Sequence, residues 1–198
     1  MEKMWNHNFA YFKWIKKKLG DRKDILDVGC GNGNLLIYLN DSEKNLIGID
    51  PSDTSIYYAK NICKDKKNIN FLNLTFEEYL NKDNSLDAII FVASIHHMDM
   101  EFAIKKALKL LKRNGILIIV GLSTPSNILD YLIEFLRIIP CFISSYIHKM
   151  QTSEDLNIKT SYNFPTMNYI REIKKKYLPN SKIRYGLYYR YLLTYVKE

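Results

Sequence analysis

The sequence predicts an α/β fold, with a mostly parallel sheet and helices on both of its faces. Short apolar runs that suit buried strands alternate with stretches in which apolar residues recur every three or four positions, which is the spacing of a helix. A glycine-rich turn, DVGCGNG at residues 27–33, joins the first apolar run to the first helical stretch. The chain has 198 residues and 47% hydrophobic content, which suits one domain with its own core.

The spacing of the glycines in this turn indicates whether the ligand is a dinucleotide or a molecule of another kind. A dinucleotide-binding turn would need a glycine at position 34, where this chain has Asn. Asp27 lies two residues before the first glycine, and a carboxylate is a poor neighbour for phosphates, so a cationic ligand is favoured. Glycine permits positive φ and leaves no Cβ between the backbone and a ligand. The alternative is a tight connection from strand to helix with no ligand.

The net charge of +8 raises nucleic acid as a partner. Its distribution argues against that, because the lysines fall in separate clusters on predicted outer helix faces, and the sequence shows no nucleic-acid-binding module. Three scattered cysteines indicate neither a disulfide scaffold nor a metal site. No apolar run is long enough for a signal peptide or a membrane span. We therefore expect a cytoplasmic protein.

Further strands follow the glycine turn in order. Apolar runs are predicted as strands at residues 45–50, 69–74, 85–93 and 116–121, and residues 182–185 and 188–196 suit a closing hairpin. With the run before the turn they make seven strands. Helices are predicted between them, including residues 102–111 and 166–178.

Side chains at the carboxyl ends of these strands are candidates for binding, because ligands of open parallel sheets lie there. Asp50 ends the second predicted strand, and one carboxylate can accept hydrogen bonds from both hydroxyls of a ribose. The alternative is a helix cap. His96 and His97 follow the fourth strand and could orient or deprotonate a substrate. They could instead cap the next helix; metal ligation is disfavoured, because no Cys or carboxylate has partner spacing.

Two flanking segments are predicted to complete a pocket. Residues 4–19 have the pattern of an amphipathic helix, and His7 lies in its opening Trp5-Asn6-His7-Asn8, either as part of a lid or near a helix cap. From residue 126, an amphipathic helix runs until Pro140, with one apolar and one polar face. Its apolar face, continued by Phe142 to Ile147, could line a substrate pocket, contact a membrane or pack on the core. Residues 151–165 are polar and suggest a loop.

These features occur in an order that resembles the class I S-adenosylmethionine-dependent methyltransferases of the small-molecule, type 11-like group. The resemblance rests on D-V-G-C-G-N-G, the acid after the second strand, S-L-D-A-I before the fourth strand, I-H-H-M-D after it and L-L-K-R-N-G before the fifth. It implies a Rossmann-like sheet of seven mostly parallel strands, in which the last strand is antiparallel. It also implies S-adenosyl-L-methionine as the cofactor.

The resemblance assigns parts of the cofactor to residues. Asp27 and the turn would hold the methionyl end, Asp50 the ribose, and Thr75 with Phe76 the adenine. Thr75 stands where the family usually has Asp, and it could instead be the N-cap of a helix. The cofactor-binding candidates are Asp27, Gly29, Cys30, Gly31, Gly33, Asp50, Pro51, Thr75, Phe76 and Ala93. The candidates for substrate contact or base are His97, His96 and His7, and no metal is expected.

The function implied is methyl transfer to a small, apolar or aromatic molecule. An RNA methyltransferase is an alternative that the charge favours and the missing N-P-P-Y motif opposes. A non-catalytic protein that binds the cofactor or S-adenosylhomocysteine is another. We expect one domain, residues 1–198, with an N-terminal lid helix (1–20), a cofactor-binding core (21–123), a substrate-pocket insertion (124–165) and a closing helix and hairpin (166–198). A monomer and a homodimer both remain open.

Overall fold

The computed structural model describes residues 7–137 and 164–198, and its sheet confirms the predicted fold class. Seven strands lie in the order β3-β2-β1-β4-β5-β7-β6. Neighbours among β1 to β5 pair in parallel, and β7 is antiparallel to both β5 and β6. The strands are β1 (Asp24–Val28), β2 (Asn45–Asp50), β3 (Ile69–Asn73), β4 (Leu86–Val92), β5 (Leu111–Leu122), β6 (Lys182–Tyr185) and β7 (Arg190–Val196).

Helices cover both faces of the sheet. The core on one face is built with α1, α2 and α3, and the core on the other with α4 and α6. The helices are α1 (Phe12–Leu19), α2 (Asn34–Leu39), α3 (Asp53–Ile62), α4 (Met100–Leu110), α5 (128–137) and α6 (Met167–Tyr177), with short 3₁₀ turns at Phe9–Tyr11 and Ile95–His97. Within the two described ranges, none of these helices has both the length and the apolar character needed to cross a bilayer.

The predicted helix over residues 4–19 is only partly correct. Residues 1–6 lie outside the described residues, a 3₁₀ turn follows at Phe9–Tyr11, and the α-helix begins at Phe12. Its predicted inner residues Phe12, Ile15 and Leu19 are buried against the sheet. The first helix therefore covers the core as expected, although it is shorter.

Two strand boundaries also differ from prediction. β5 begins at Leu111, before a register shift in its pairing with β4, and Asn114 within that irregular stretch has a φ of 63°. β7 begins at Arg190 because Tyr188 and Tyr189 have left-handed backbone, with φ of 60° and 56°, and form the turn of the hairpin. These conformations interrupt the extended pattern that the sequence suggests.

The orientation of α5 contradicts the option that its apolar face packs on the core, while the option of pocket lining stays a prediction. The carboxylate of Asp130 is completely buried, whereas Leu129, Leu132 and Leu136 are each more than half exposed. The polar face of α5 is therefore turned towards the protein and the apolar face away from it. The predictions for Phe142 to Ile147 and for a loop from residue 151 fall outside the described residues.

Candidate active site

The glycine turn connects β1 to α2, and its three glycines have positive φ of 73°, 51° and 76° at Gly29, Gly31 and Gly33. A Cβ at Gly29 would collide with Ser94, and one at Gly33 would lie 2.5 Å from Cζ of Phe71. Only at Gly31 would a Cβ meet no protein atom within 4 Å. The prediction that all three leave room for a ligand is thus corrected, because Gly29 and Gly33 make room for the protein itself.

Asp27 lies in β1 directly before this turn and is 2% exposed. Its Oδ1 atom is buried without a hydrogen-bond partner among the described residues. Burial, and secondarily the negative charge of Asp50, raise the pKa of Asp27 to about 7. A buried carboxylate without a partner is costly, so this side chain is suited to a cationic ligand that supplies one.

Asp50, at the end of β2, closes the turn from the neighbouring strand. Its Oδ2 accepts a hydrogen bond from the Gly31 backbone N–H at 2.9 Å, and its Oδ1 accepts one from the N–H of Ser52 at 2.9 Å. Pro51 lies between Asp50 and Ser52 in the chain. Each carboxylate oxygen can accept more than one hydrogen bond, so the geometry leaves capacity for ribose hydroxyls.

Cys30 is buried within the turn. Burial, together with the charges of Asp27 and Asp50, raises the pKa of its thiol well above the usual value. The thiol stays protonated, so a nucleophilic role for this cysteine is disfavoured and its place among the candidates rests on the backbone of the turn.

Thr75 and Phe76 follow β3, next to β2 in the sheet. The Thr75 N–H and hydroxyl both donate to Glu78 Oε2, at 2.9 and 3.0 Å, and the Glu78 N–H donates back to the hydroxyl. This is the pattern of a capping box, although it closes a turn here where a helix was the predicted alternative. The Phe76 ring is buried edge-on against Phe91 at 5.5 Å, so its side chain belongs to the core.

Ala93 directly follows β4 and has a φ of 53°, which is unusual for a residue with a Cβ. Its N–H donates to the carbonyl oxygen of Val120 in β5. The next residue, Ser94, is buried and donates from Oγ to the carbonyl oxygen of Val28 at 2.5 Å. This serine ties the end of β4 to the end of β1, and it turns the chain towards the two histidines.

His96 and His97 lie side by side, with ring centroids 4.1 Å apart. Nδ1 of His96 is buried without a partner in the described part of the chain, and its ring contacts Phe164 edge-on at 5.0 Å. Burial, His97 and Arg190 lower the pKa of His96 to about 4. His96 is therefore neutral at pH 7 and can accept a proton, while His97 is exposed.

His7 reaches the same edge of the sheet from the N-terminal segment. Its ring stacks on Tyr188 at 3.8 Å, and burial and the charge of Arg190 lower its pKa to about 4. Asn8 accepts a hydrogen bond from Arg190 Nη2 at 2.7 Å, and the Tyr11 hydroxyl donates to the carbonyl oxygen of Leu187. The N-terminal segment is thus fastened to the turn between β6 and β7.

A cavity of about 510 Å³ opens beside His96, between the loop after β4 and the start of α6. The start of α6 is held next to β5, because Thr124 exchanges backbone hydrogen bonds with Pro165 and Met167. The lining is mostly apolar or aromatic and consists of His96, Met98, Asp99, Met100, Phe164, Pro165, Thr166 and Tyr169.

Sequence reasoning missed Ser94, Arg190 and Phe164. Ser94 had a signal in the sequence, since it follows a predicted strand and precedes the histidine pair. Arg190 and Phe164 had none, because their contacts with the histidines depend on how β7 and α6 pack. Among the side chains described here, no group of three His, Cys, Asp or Glu residues could hold a metal ion.

Part of the chain matches a known protein family. Residues 26–119 match the model of a methyltransferase domain. Carboxy-S-adenosyl-L-methionine synthase of Helicobacter pylori is 34% identical over 116 residues, which cover 56% of this chain and 48% of that protein. The ubiquinone biosynthesis O-methyltransferase of Pelagibacter ubique is 35% identical over 101 residues, covering 50% of this chain and 42% of that protein. These matches span about half the length of each relative, or less.

Solved structures confirm the fold over a larger part of the chain. The PH0226 protein from Pyrococcus horikoshii is 19% identical and superposes with a TM-score of 0.69, covering 96% of this chain and 89% of that one. Several matching methyltransferase structures contain bound S-adenosylhomocysteine, the demethylated form of the cofactor. The sheet order, the glycine turn beside Asp27 and the matched domain agree, and together they support a class I S-adenosyl-L-methionine-dependent methyltransferase.

Proposed function

We propose that this chain transfers the methyl group of S-adenosyl-L-methionine to a small apolar or aromatic molecule. The observation that carries the proposal is the cavity beside His96, whose walls include Met98, Phe164 and Tyr169. Aromatic and thioether side chains favour an apolar ligand, and the few polar groups among them would orient it. The name of the Pelagibacter relative, an O-methyltransferase, supports a small acceptor.

The residues that would hold the cofactor are those of the turn and its neighbours. The buried carboxylate of Asp27 suits the ammonium group of the methionyl end, and the open space at Gly31 leaves room beside it. Asp50 would accept ribose hydroxyls, and the segment at Thr75 and Phe76 would border the adenine. Bound there, S-adenosyl-L-methionine supplies an electrophilic methyl group.

His96 is our candidate for the base that takes the proton released by the methyl acceptor. It is neutral at pH 7, and its Nδ1 is buried without a partner among the described residues. A hydroxyl or amine acceptor that gains a methyl group loses a proton, which the imidazole could take. His97 and His7 would contact the acceptor from the exposed side and from the N-terminal segment. Holding the acceptor in line would supply much of the rate enhancement.

Three further proposals concern the N-terminal segment, the location of the protein and the class of substrate. The N-terminal segment would act as a lid, since Asn8 and Tyr11 fasten it across the turn between β6 and β7. Cys30 and Cys63 are free thiols, in agreement with a reducing, cytoplasmic location. An RNA substrate is the weaker alternative, because the described residues of the cavity lining include one acid and no lysine or arginine.

The test is incorporation of isotope-labelled methyl from the cofactor into a panel of phenols, quinols and fatty acyl compounds, with total RNA alongside. We expect label in a small-molecule fraction, and a loss of about tenfold or more in Tyr169→Ala or Phe164→Ala. Tyr58→Ala is the matched control, since Tyr58 is 42% exposed and Tyr169 40% exposed, but Tyr58 lies on α3. Label found only in RNA would contradict the proposal. Cofactor binding without turnover on any extract would instead favour a non-catalytic binding protein.

A further inference from the structure

The helix α5 presents an apolar face to solvent. Six of its seven large apolar residues are between 52% and 88% exposed: Ile128, Leu129, Tyr131, Leu132, Phe135 and Leu136. We call this set the α5 apolar face. At about 100° per residue it covers an arc of about 160° around the helix, so it is one continuous surface. Elsewhere in the described ranges, exposed apolar residues form smaller groups, such as Leu80 alone or Tyr57, Tyr58 and Ile62 on α3.

The opposite arc of α5 holds this orientation in place. Asp130 accepts hydrogen bonds from the Ser126 backbone N–H and hydroxyl, from Arg171 at 2.6 Å and from the Tyr185 hydroxyl. Arg137 lies over the Tyr185 ring at 5.0 Å. Turning the apolar residues inward would break every one of these contacts with a buried carboxylate. The outward direction of the apolar face is therefore fixed by the polar one.

The elements that hold α5 are strongly basic. Arg171 belongs to α6 and Tyr185 to β6, and these two elements carry one acidic residue, Glu172. Residues three or four positions apart on a helix are neighbours, so Lys174 and Lys175 continue the line of Arg171 along α6. The other basic residues are engaged or directed elsewhere: Arg171 pairs with Asp130 and Lys176 with Glu101, while Lys182 and Arg184 alternate with Tyr185 along β6 and lie on its other face.

We propose that the α5 apolar face docks onto an anionic lipid surface, with Lys174 and Lys175 of α6 beside it. A helix that lies in a membrane interface combines an exposed apolar face with flanking cations that attract anionic headgroups. The charge of this flank and the net charge of +8 select a negatively charged partner. This inference goes beyond the proposed function and does not depend on it, because α5 contributes no residue to the cavity lining.

The test is co-sedimentation of the full chain with vesicles of phosphatidylcholine, alone or mixed with phosphatidylglycerol. The double variant Leu132→Glu/Phe135→Glu removes part of the α5 apolar face. The matched control is Tyr57→Glu/Leu80→Glu, which adds the same two charges at exposed apolar residues elsewhere. We expect the wild type and the control to sediment with anionic vesicles, and the partition coefficient of the double variant to fall by about tenfold or more.

Each other outcome overturns the proposal. Wild-type protein that stays in the supernatant with anionic vesicles excludes lipid docking, and an equal loss in the control assigns the binding to charge alone. A dimer in analytical ultracentrifugation that only the double variant dissociates makes the face an interface between copies of the chain. Calorimetric binding of S-adenosyl-L-methionine and methyl transfer to a dissolved acceptor are measured on the same variants. Because α5 is not part of those sites, their failure in the wild type would count against the proposed function and not against docking.

Discussion

Two carboxylates of this molecule are almost completely buried and have opposite environments. Asp27, before the glycine turn, is 2% exposed, and its Oδ1 has no partner in the described residues. Asp130, on α5, is 0% exposed and accepts hydrogen bonds from Arg171, Tyr185 and Ser126. Burial raises the pKa of Asp27 to about 7. Burial acts on Asp130 in the same direction, but its hydrogen bonds outweigh it and lower the pKa below the usual range.

The difference teaches that burial alone does not tell what a carboxylate does. A carboxylate whose partners are all supplied by the fold stabilises the fold. One whose partner is missing costs stability until a ligand supplies that partner, which is how binding sites commonly differ from structural ion pairs. In this chain the first kind anchors α5, and we propose that the second binds the cofactor.

The strongest test of the structural carboxylate is Asp130→Ala. It leaves Arg171 and Tyr185 facing each other without their acceptor, and we expect the free energy of unfolding to fall by about 2 to 4 kcal/mol. We place it towards the lower end of the range for broken buried pairs, because the Arg171 side chain is still 36% exposed and partly hydrated. Urea unfolding measures the change, with Asp65→Ala at an exposed site as the control. A loss no larger than in the control would show that the contacts of Asp130 do not anchor α5.

The matching test of the binding carboxylate is Asp27→Asn. We expect affinity for S-adenosyl-L-methionine to fall by about ten- to a hundredfold, since the ammonium group loses its charged partner. In the wild type, affinity should rise by about tenfold from pH 6 to pH 8, because Asp27 must lose its proton to bind a cation and its pKa is about 7.

Calorimetric titration at several pH values checks both results, and the variant itself is the control for the pH effect. An affinity in Asp27→Asn that still rises with pH would assign the titration to another group.

The pH dependence of stability should have the opposite sign to that of cofactor affinity. The pKa of Asp27 is higher in the folded chain than the ordinary value of about 3.9, so the folded state keeps a proton that the unfolded state releases. Wild-type stability relative to Asp27→Asn should therefore fall by about 2 kcal/mol from pH 5 to pH 8. Urea unfolding of both proteins at the two pH values measures this difference. A constant difference would mean that the Asp27 carboxylate is solvated or paired in the folded state.

The smallest expected difference in stability is between substitutions at two glycines of the turn. Gly31→Ala places a Cβ in open space at a φ of 51°, so only the backbone strain of about 1 kcal/mol should appear in unfolding. Gly33→Ala also places a Cβ 2.5 Å from Cζ of Phe71, and we expect it to cost about 1 kcal/mol more. Cofactor affinity should fall in Gly31→Ala if the open space belongs to the ligand. Unchanged affinity in a folded Gly31→Ala would place the cofactor elsewhere.

Much of the fold could be predicted because its signals are local. The spacing of apolar residues locates β1 to β5 within a few positions, and the glycine turn marks the first connection to a helix. The boundaries that were wrong depend on single backbone conformations, such as the left-handed Asn114 and Tyr188. A sequence pattern does not show where a residue with a Cβ will adopt positive φ.

The site was less predictable because its decisive contacts join distant parts of the chain. An amphipathic pattern shows that α5 has two faces, but it does not show which one the protein covers. That depends on Arg171 and Tyr185, which lie 41 and 55 positions from Asp130. Likewise, Arg190 donates to Asn8 across 182 positions. The assignments of cofactor contacts to Asp50, Thr75 and the histidines remain predictions.

The place of β7 between β5 and β6 has a consequence for how the chain is made. During synthesis, β5 has only β4 as a neighbour until residues 190–196 emerge, and its open edge presents unpaired backbone groups along an apolar strand. The N-terminal segment cannot form its contacts until late in synthesis either, because the Tyr11 hydroxyl donates to the carbonyl oxygen of Leu187, 176 positions further along the chain. A chain that stalls or is cleaved before β7 would therefore keep the glycine turn yet expose a strand prone to aggregation.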